Sequence, residues 1–81
     1  MHLASSSYFQ ESIRNNYLLP DAQRLLSQAQ NQLEALDPAH PGYQNLINAV
    51  NYLNSVLAAD PSNDALAAAM SNLTAAMAAA Q

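Results

Sequence analysis

The sequence predicts an all-α fold: an antiparallel up-and-down bundle of three core helices, with a short N-terminal helix packed against it. Three observations carry the prediction. Alanine and leucine dominate the composition while β-branched residues are sparse, a mixture that favours helix over strand. Gly42 is the only glycine, which adds to a composition that favours helix and leaves no glycine-rich phosphate loop. Apolar residues also recur at steps of three and four, the spacing that lines one face of a helix.

Prolines at 20, 38, 41 and 61 divide the chain, because proline has no amide donor and disfavours helix in the residue before it. The expected helices are therefore about 5–18, 20–36, 41–58 and 63–80, in one domain spanning 1–81. Splitting so short a chain would leave halves too small to bury a core.

In the first segment Phe9, Ile13 and Tyr17 share a face, while Asn15 and Asn16 favour an early stop. A short separate helix is the preferred expectation there, with a kinked extension of the next helix and a partly frayed arm as the alternatives. The second segment carries Ala22, Leu26, Ala29, Leu33 and Leu36; the third Tyr43, Leu46, Val50, Leu53 and Leu57; the fourth Leu66, Met70, Leu73, Met77 and Ala80.

Two turns join the last three. In Asp37-Pro38-Ala39-His40-Pro41-Gly42, Pro41 is expected at the first helical position, where its missing donor costs nothing, with His40 at the capping place before it. In Asp60-Pro61-Ser62-Asn63-Asp64, Asn63 is the expected cap and Asp64 sits favourably beside the positive helix end. Ala35-Leu36-Asp37-Pro38 and Ala58-Ala59-Asp60-Pro61 match at an offset of 23 residues, which reads as one turn type used twice rather than a helical repeat. Short connections make neighbouring helices antiparallel.

Charge excludes several functions. There is no lysine, only Arg14 and Arg24, and the formal net charge is −4. Neither nucleic acid nor an anionic membrane would find the basic surface that drives such binding. The opening residues lack the pattern of a signal peptide, and no segment approaches the ~20 apolar residues of a membrane span. With no cysteine there is no disulfide framework and no thiolate metal site. Localisation is left open.

Candidate chemistry is thin. Glu11, Asp21, Glu34, Asp37, Asp60 and Asp64 are dispersed, four of them at expected helix ends, where capping accounts for them. His2 and His40 are the only imidazoles and share no helical spacing, so no histidine ligand pair exists. The serines lack a nucleophile elbow and a neighbouring base. Asn72-Leu73-Thr74 matches the glycosylation pattern but falls inside a helix rather than a loop. The expectation is a protein that is not an enzyme, with no catalytic residues, no metal and no cofactor.

Core or boundary packing is the expectation for most of the aromatic residues, and partner contact is the alternative, since tyrosine buries area at low entropy cost. Tyr43 fits the core stripe, leaving Tyr8, Tyr17 and Tyr52 as candidate partner contacts. The last helix carries alanine on nearly every face, a smooth surface compatible with close approach of another helix or with self-association.

From Tyr43 onward, Tyr43, Leu46, Ala49, Val50, Val56 and Leu57, the Asp60-Pro61 turn, Leu66 and the run Leu73-Thr74-Ala75-Ala76-Met77 stand in a familiar spacing. In these residues the chain resembles the FIVAR module (found in various architectures), a helical-bundle repeat of bacterial cell-wall and carbohydrate-active proteins. The resemblance covers about half the chain. It departs at Leu53, where the family tends to have alanine, and in a shortened turn. It would imply a spacer or adhesion module outside the cell.

The regular heptads, proline at helix starts and alanine-rich final helix are equally similar to a computationally designed bundle. The Pro38-to-Pro41 turn also resembles that of type III secretion needle subunits, although Pro61 interrupts the helix such a subunit needs. Function is accordingly expected to be a non-enzymatic scaffold or protein-interaction module, binding protein or itself. The alternatives are a bundle holding a small-molecule pocket near Tyr43 or Tyr17, and a self-assembling structural subunit.

Overall fold

The computed structural model describes residues 9–81. The described backbone is helical from its first residue, passes through a π-helical turn at Arg14–Leu18 and continues as α1, Leu19–Ala35. Helices α2, Tyr43–Ala58, and α3, Asn63–Ala79, follow. Together they form the all-α bundle read from the sequence.

Contacts at the helix ends give the directions. Arg14 reaches Asp60 and Asn63, beside the start of α3. Gln32 donates to the Met77 carbonyl at the other end, 2.9 Å away. Gly42, at the start of α2, lies against Ala79 and Ala80. Helices α1 and α3 therefore run parallel, and α2 runs antiparallel to both.

The N-terminal segment is not separated from α1, contrary to the expected break between 18 and 20. Ile13, Leu18 and Leu19 all hold right-handed helical dihedrals. The reason lies in Pro20. In a regular α-helix its ring would crowd the carbonyl four residues back, and that carbonyl would lose its donor. Instead the Leu19 amide donates to the Arg14 carbonyl, five residues back, and the wider turn makes room for the ring. Asn15 and Asn16 sit inside this turn rather than ending the helix.

The core is made of Leu46, Ala49, Val50 and Leu53 from α2 and of Leu66, Ala69, Leu73, Ala76 and Ala80 from the α3 region. Helix α1 adds Ala22 and Ala29. Leu26, Leu33, Leu36, Leu57, Met70, Met77 and Tyr43 belong to the expected stripes but are only half-buried. Around α1, Leu18, Leu25 and Leu36 flank the two alanines on one side, and Leu19, Leu26 and Leu33 on the other. Gln32 shares the first side and bonds α3, so that edge faces α3. Helix α1 thus lies in the groove of the α2–α3 hairpin, with alanines at the bottom and leucines astride.

The two turns are built differently, so the expectation of one turn type used twice is corrected. After α1, Leu36 turns extended at once (φ −91°, ψ 136°), and the Asp37 carboxylate accepts from the Ala39 amide. After α2, Asp60 takes a left-handed conformation (φ 53°). The first connection has seven residues, 36–42, and the second only four, 59–62. A short reversal needs a left-handed residue, which aspartate tolerates better than most.

Both expected caps also move. Ser62, not Asn63, caps α3: its hydroxyl accepts from the Ala65 amide at 3.1 Å. Pro41 is not the first residue of α2, because the residues before Tyr43 form a tighter turn closed by the Tyr43 amide on the His40 carbonyl. Gly42 occupies the cap position without a side chain to cap with. A Cβ there would lie 3.0 Å from the Ala80 Cα and 3.1 Å from the Ala79 carbonyl oxygen, so close approach of the two chain segments requires glycine.

Candidate functional site

The side chains that sequence reasoning weighed for chemistry fall apart in space or are spent on structure. Asp21 stands in the first turn of α1 and pairs with Arg24 one turn on. Asp37 closes its own turn, Asp64 sits in the first turn of α3, and Asp60 meets Arg14 at 3.2 Å. Among the described residues, no three histidine, aspartate or glutamate side chains converge as a metal site would need. Every fully buried side chain described is apolar.

His40 has a local task that spacing alone did not reveal. Its Nδ1 accepts from the Gly42 amide at 2.9 Å, which satisfies a donor at the entry to α2 that glycine cannot satisfy itself. The sequence signal was its place next to a proline-bounded helix start. Thr74, in the glycosylation-like triplet, donates to the Met70 carbonyl, and Leu73 between its partners is fully buried. Asn72 is therefore presented on regular helix.

A depression of about 280 Å³ is lined by Glu11, Ser12, Asn15 and Asn16. All four come from one helical stretch. A binding pocket draws polar groups from different elements onto one ligand, and here no second described element contributes. It also lies away from Tyr43, beside the turn that holds Tyr17, and opens to solvent rather than into the bundle.

Among the described residues, the large apolar side chains left exposed are aromatic. Phe9 and Tyr17 are each 66% exposed and Tyr52 is 51% exposed. Tyr8 lies outside the described residues. The π turn inserts one residue into the helical period, so Phe9 and Tyr17, eight apart, align as residues seven apart do on an ordinary helix. They share one edge of the N-terminal stretch. Periodicity marked Phe9, Ile13 and Tyr17 as a common face, but not that the face would look outward at both ends with only Ile13 half-buried. Tyr52 stands on α2, beside the core stripe.

Alanines 65, 67, 68, 75, 78 and 79 of α3 face solvent, while Ala69 and Ala76 face inward. The inward pair lets the backbones approach, and the outward set leaves a face of small side chains. No helix among the described residues is long and apolar enough to cross a membrane. No family model matches the chain, and no curated protein or solved structure is significantly similar to it.

Proposed function

We infer that the chain is a non-catalytic helical scaffold that meets a protein partner, or a second copy of itself, through exposed aromatic side chains. One observation supports this reading above the others. The bundle closes its core with aliphatic residues and leaves Phe9, Tyr17 and Tyr52, the largest exposed apolar side chains among the described residues, in water. Scattered exposed apolar residues are ordinary, but two aromatics aligned on one helical edge give a contact with little rotamer entropy to lose.

The residues assembled around them offer no competing chemistry. The described lining of the depression beside Tyr17 comes from one helix, Asp37 and His40 bond within their own turn, and Asp21 and Asp60 pair with arginine at the surface. An FIVAR-like spacer role is compatible with such a rod of helices, and rests on the resemblance from Tyr43 onward.

The test replaces Phe9, Tyr17 and Tyr52 together by serine, which has about the same helix propensity as either aromatic type. The expected outcome is an unchanged urea midpoint, together with loss of any concentration-dependent mass seen by light scattering after size exclusion. A large drop in the midpoint would make these aromatics packing residues and remove the reading.

A further inference from the structure

We propose that residues 9–18 form a latched arm: a helical segment that swings off at the π turn while the three-helix core stays folded. This goes beyond the scaffold reading and holds whether or not the aromatics meet a partner. Three independent features support it.

The first is how the arm is held. Arg14 Nε donates to Asn63 Oδ1 at 3.1 Å and Arg14 Nη1 to Asp60 Oδ1 at 3.2 Å. Asn63 Nδ2 donates in turn to the Gln10 side-chain oxygen at 2.7 Å and to the Gln10 carbonyl at 3.0 Å. Four polar contacts thus gather on one turn, and the Asp60 side chain at its edge is 93% exposed. Pairs in such a setting are worth little and are screened by salt.

The second is what the arm lacks. The π segment contains no fully buried residue, and the only apolar side chains of the arm that pack at all, Ile13 and Leu18 at the joint, are half-buried. Lifting the arm therefore uncovers little apolar surface, whereas lifting any of the three helices would open the core.

The third is the joint. Pro20 deprives the turn before it of one backbone hydrogen bond, and the five-residue spacing at Leu19 and Arg14 already departs from the α ladder. Unwinding here breaks fewer and poorer bonds than unwinding inside α1. Low-stability units that open below the global free energy have these properties.

Asp60 fits the same account. Glycine would adopt its left-handed backbone without cost, yet the position carries the carboxylate that Arg14 meets.

Amide hydrogen exchange on the full chain tests the proposal, comparing the wild type with Arg14→Gln and with Asp60→Gly. The expected result is faster exchange at 9–18 in both variants, by up to about fivefold, the upper end of what one lost surface pair allows. Amides in 46–53 and 66–76 should keep their wild-type rates. Added salt should speed exchange of the arm in the wild type and do less in Arg14→Gln. Unchanged arm rates in both variants, or acceleration spread evenly over the chain, would overturn the latch. The second outcome would show that the arm opens only with the core.

Discussion

The α2–α3 hairpin and helix α1 use the same leucine-and-alanine vocabulary to opposite ends. In the hairpin, Leu46, Leu53, Leu66 and Leu73 are fully buried, and alanines beside them let the helices close up. In α1 the order reverses: Ala22 and Ala29 are fully buried, and the leucines on either side are half-buried. A third helix laid on a two-helix groove meets its floor with a narrow strip and its walls with the flanks. Small residues suit the floor, and leucines suit the walls. The difference teaches that the burial of a residue in a small bundle follows its angle to the groove more than its hydrophobicity.

The sharpest way to break this comparison is to truncate one leucine from each region. Leu73→Ala is expected to cost about 2–5 kcal/mol in urea unfolding, because it empties a closed site. Leu25→Ala should cost less than half as much, since part of that side chain already meets water. Equal losses would show that α1 is as deeply seated as the hairpin.

A second test enlarges the groove floor. Ala29→Leu should destabilise by about 1–3 kcal/mol through overpacking. Ala75→Leu, on the exposed face of α3, should stay within about 0.5 kcal/mol of wild type. Differential scanning calorimetry of the two variants separates a floor that requires alanine from a helix that merely prefers it.

The smallest expected effect concerns the turns. Ser62→Ala removes the hydroxyl that accepts from Ala65 and should cost about 1 kcal/mol. Asn63→Ala, one residue on, removes no cap. It should instead raise hydrogen exchange in 9–18, where its side chain meets Gln10, with the midpoint nearly unmoved. If Asn63→Ala lowers the midpoint more than Ser62→Ala does, the assignment of cap and latch between these neighbours is reversed.

Much of the fold was legible because helix periodicity is local. Leu46, Val50, Leu53, Leu66 and Leu73 announce inward faces through spacing alone, and Pro38, Pro41 and Pro61, though not Pro20, announce where connections fall. The site was less legible. His40 Nδ1 reaches the Gly42 amide two residues away, a bond set by turn geometry that residue type merely permits. Arg14 and Asn63 stand 49 residues apart, and no spacing rule links them.

Composition and pattern by themselves determined the helical class, the two connections after α1 and α2 and the apolar stripe of each helix, because each depends on a residue and its neighbours within one or two turns. Tertiary structure decided the rest. It determined that Pro20 bends its helix into a π turn instead of stopping it, that alanine rather than leucine occupies the groove floor, that Gly42 must be small, and that Phe9 and Tyr17 align outward. Those outcomes depend on which surface arrives from elsewhere in the chain and how much room it leaves, and a local pattern carries no measure of that room.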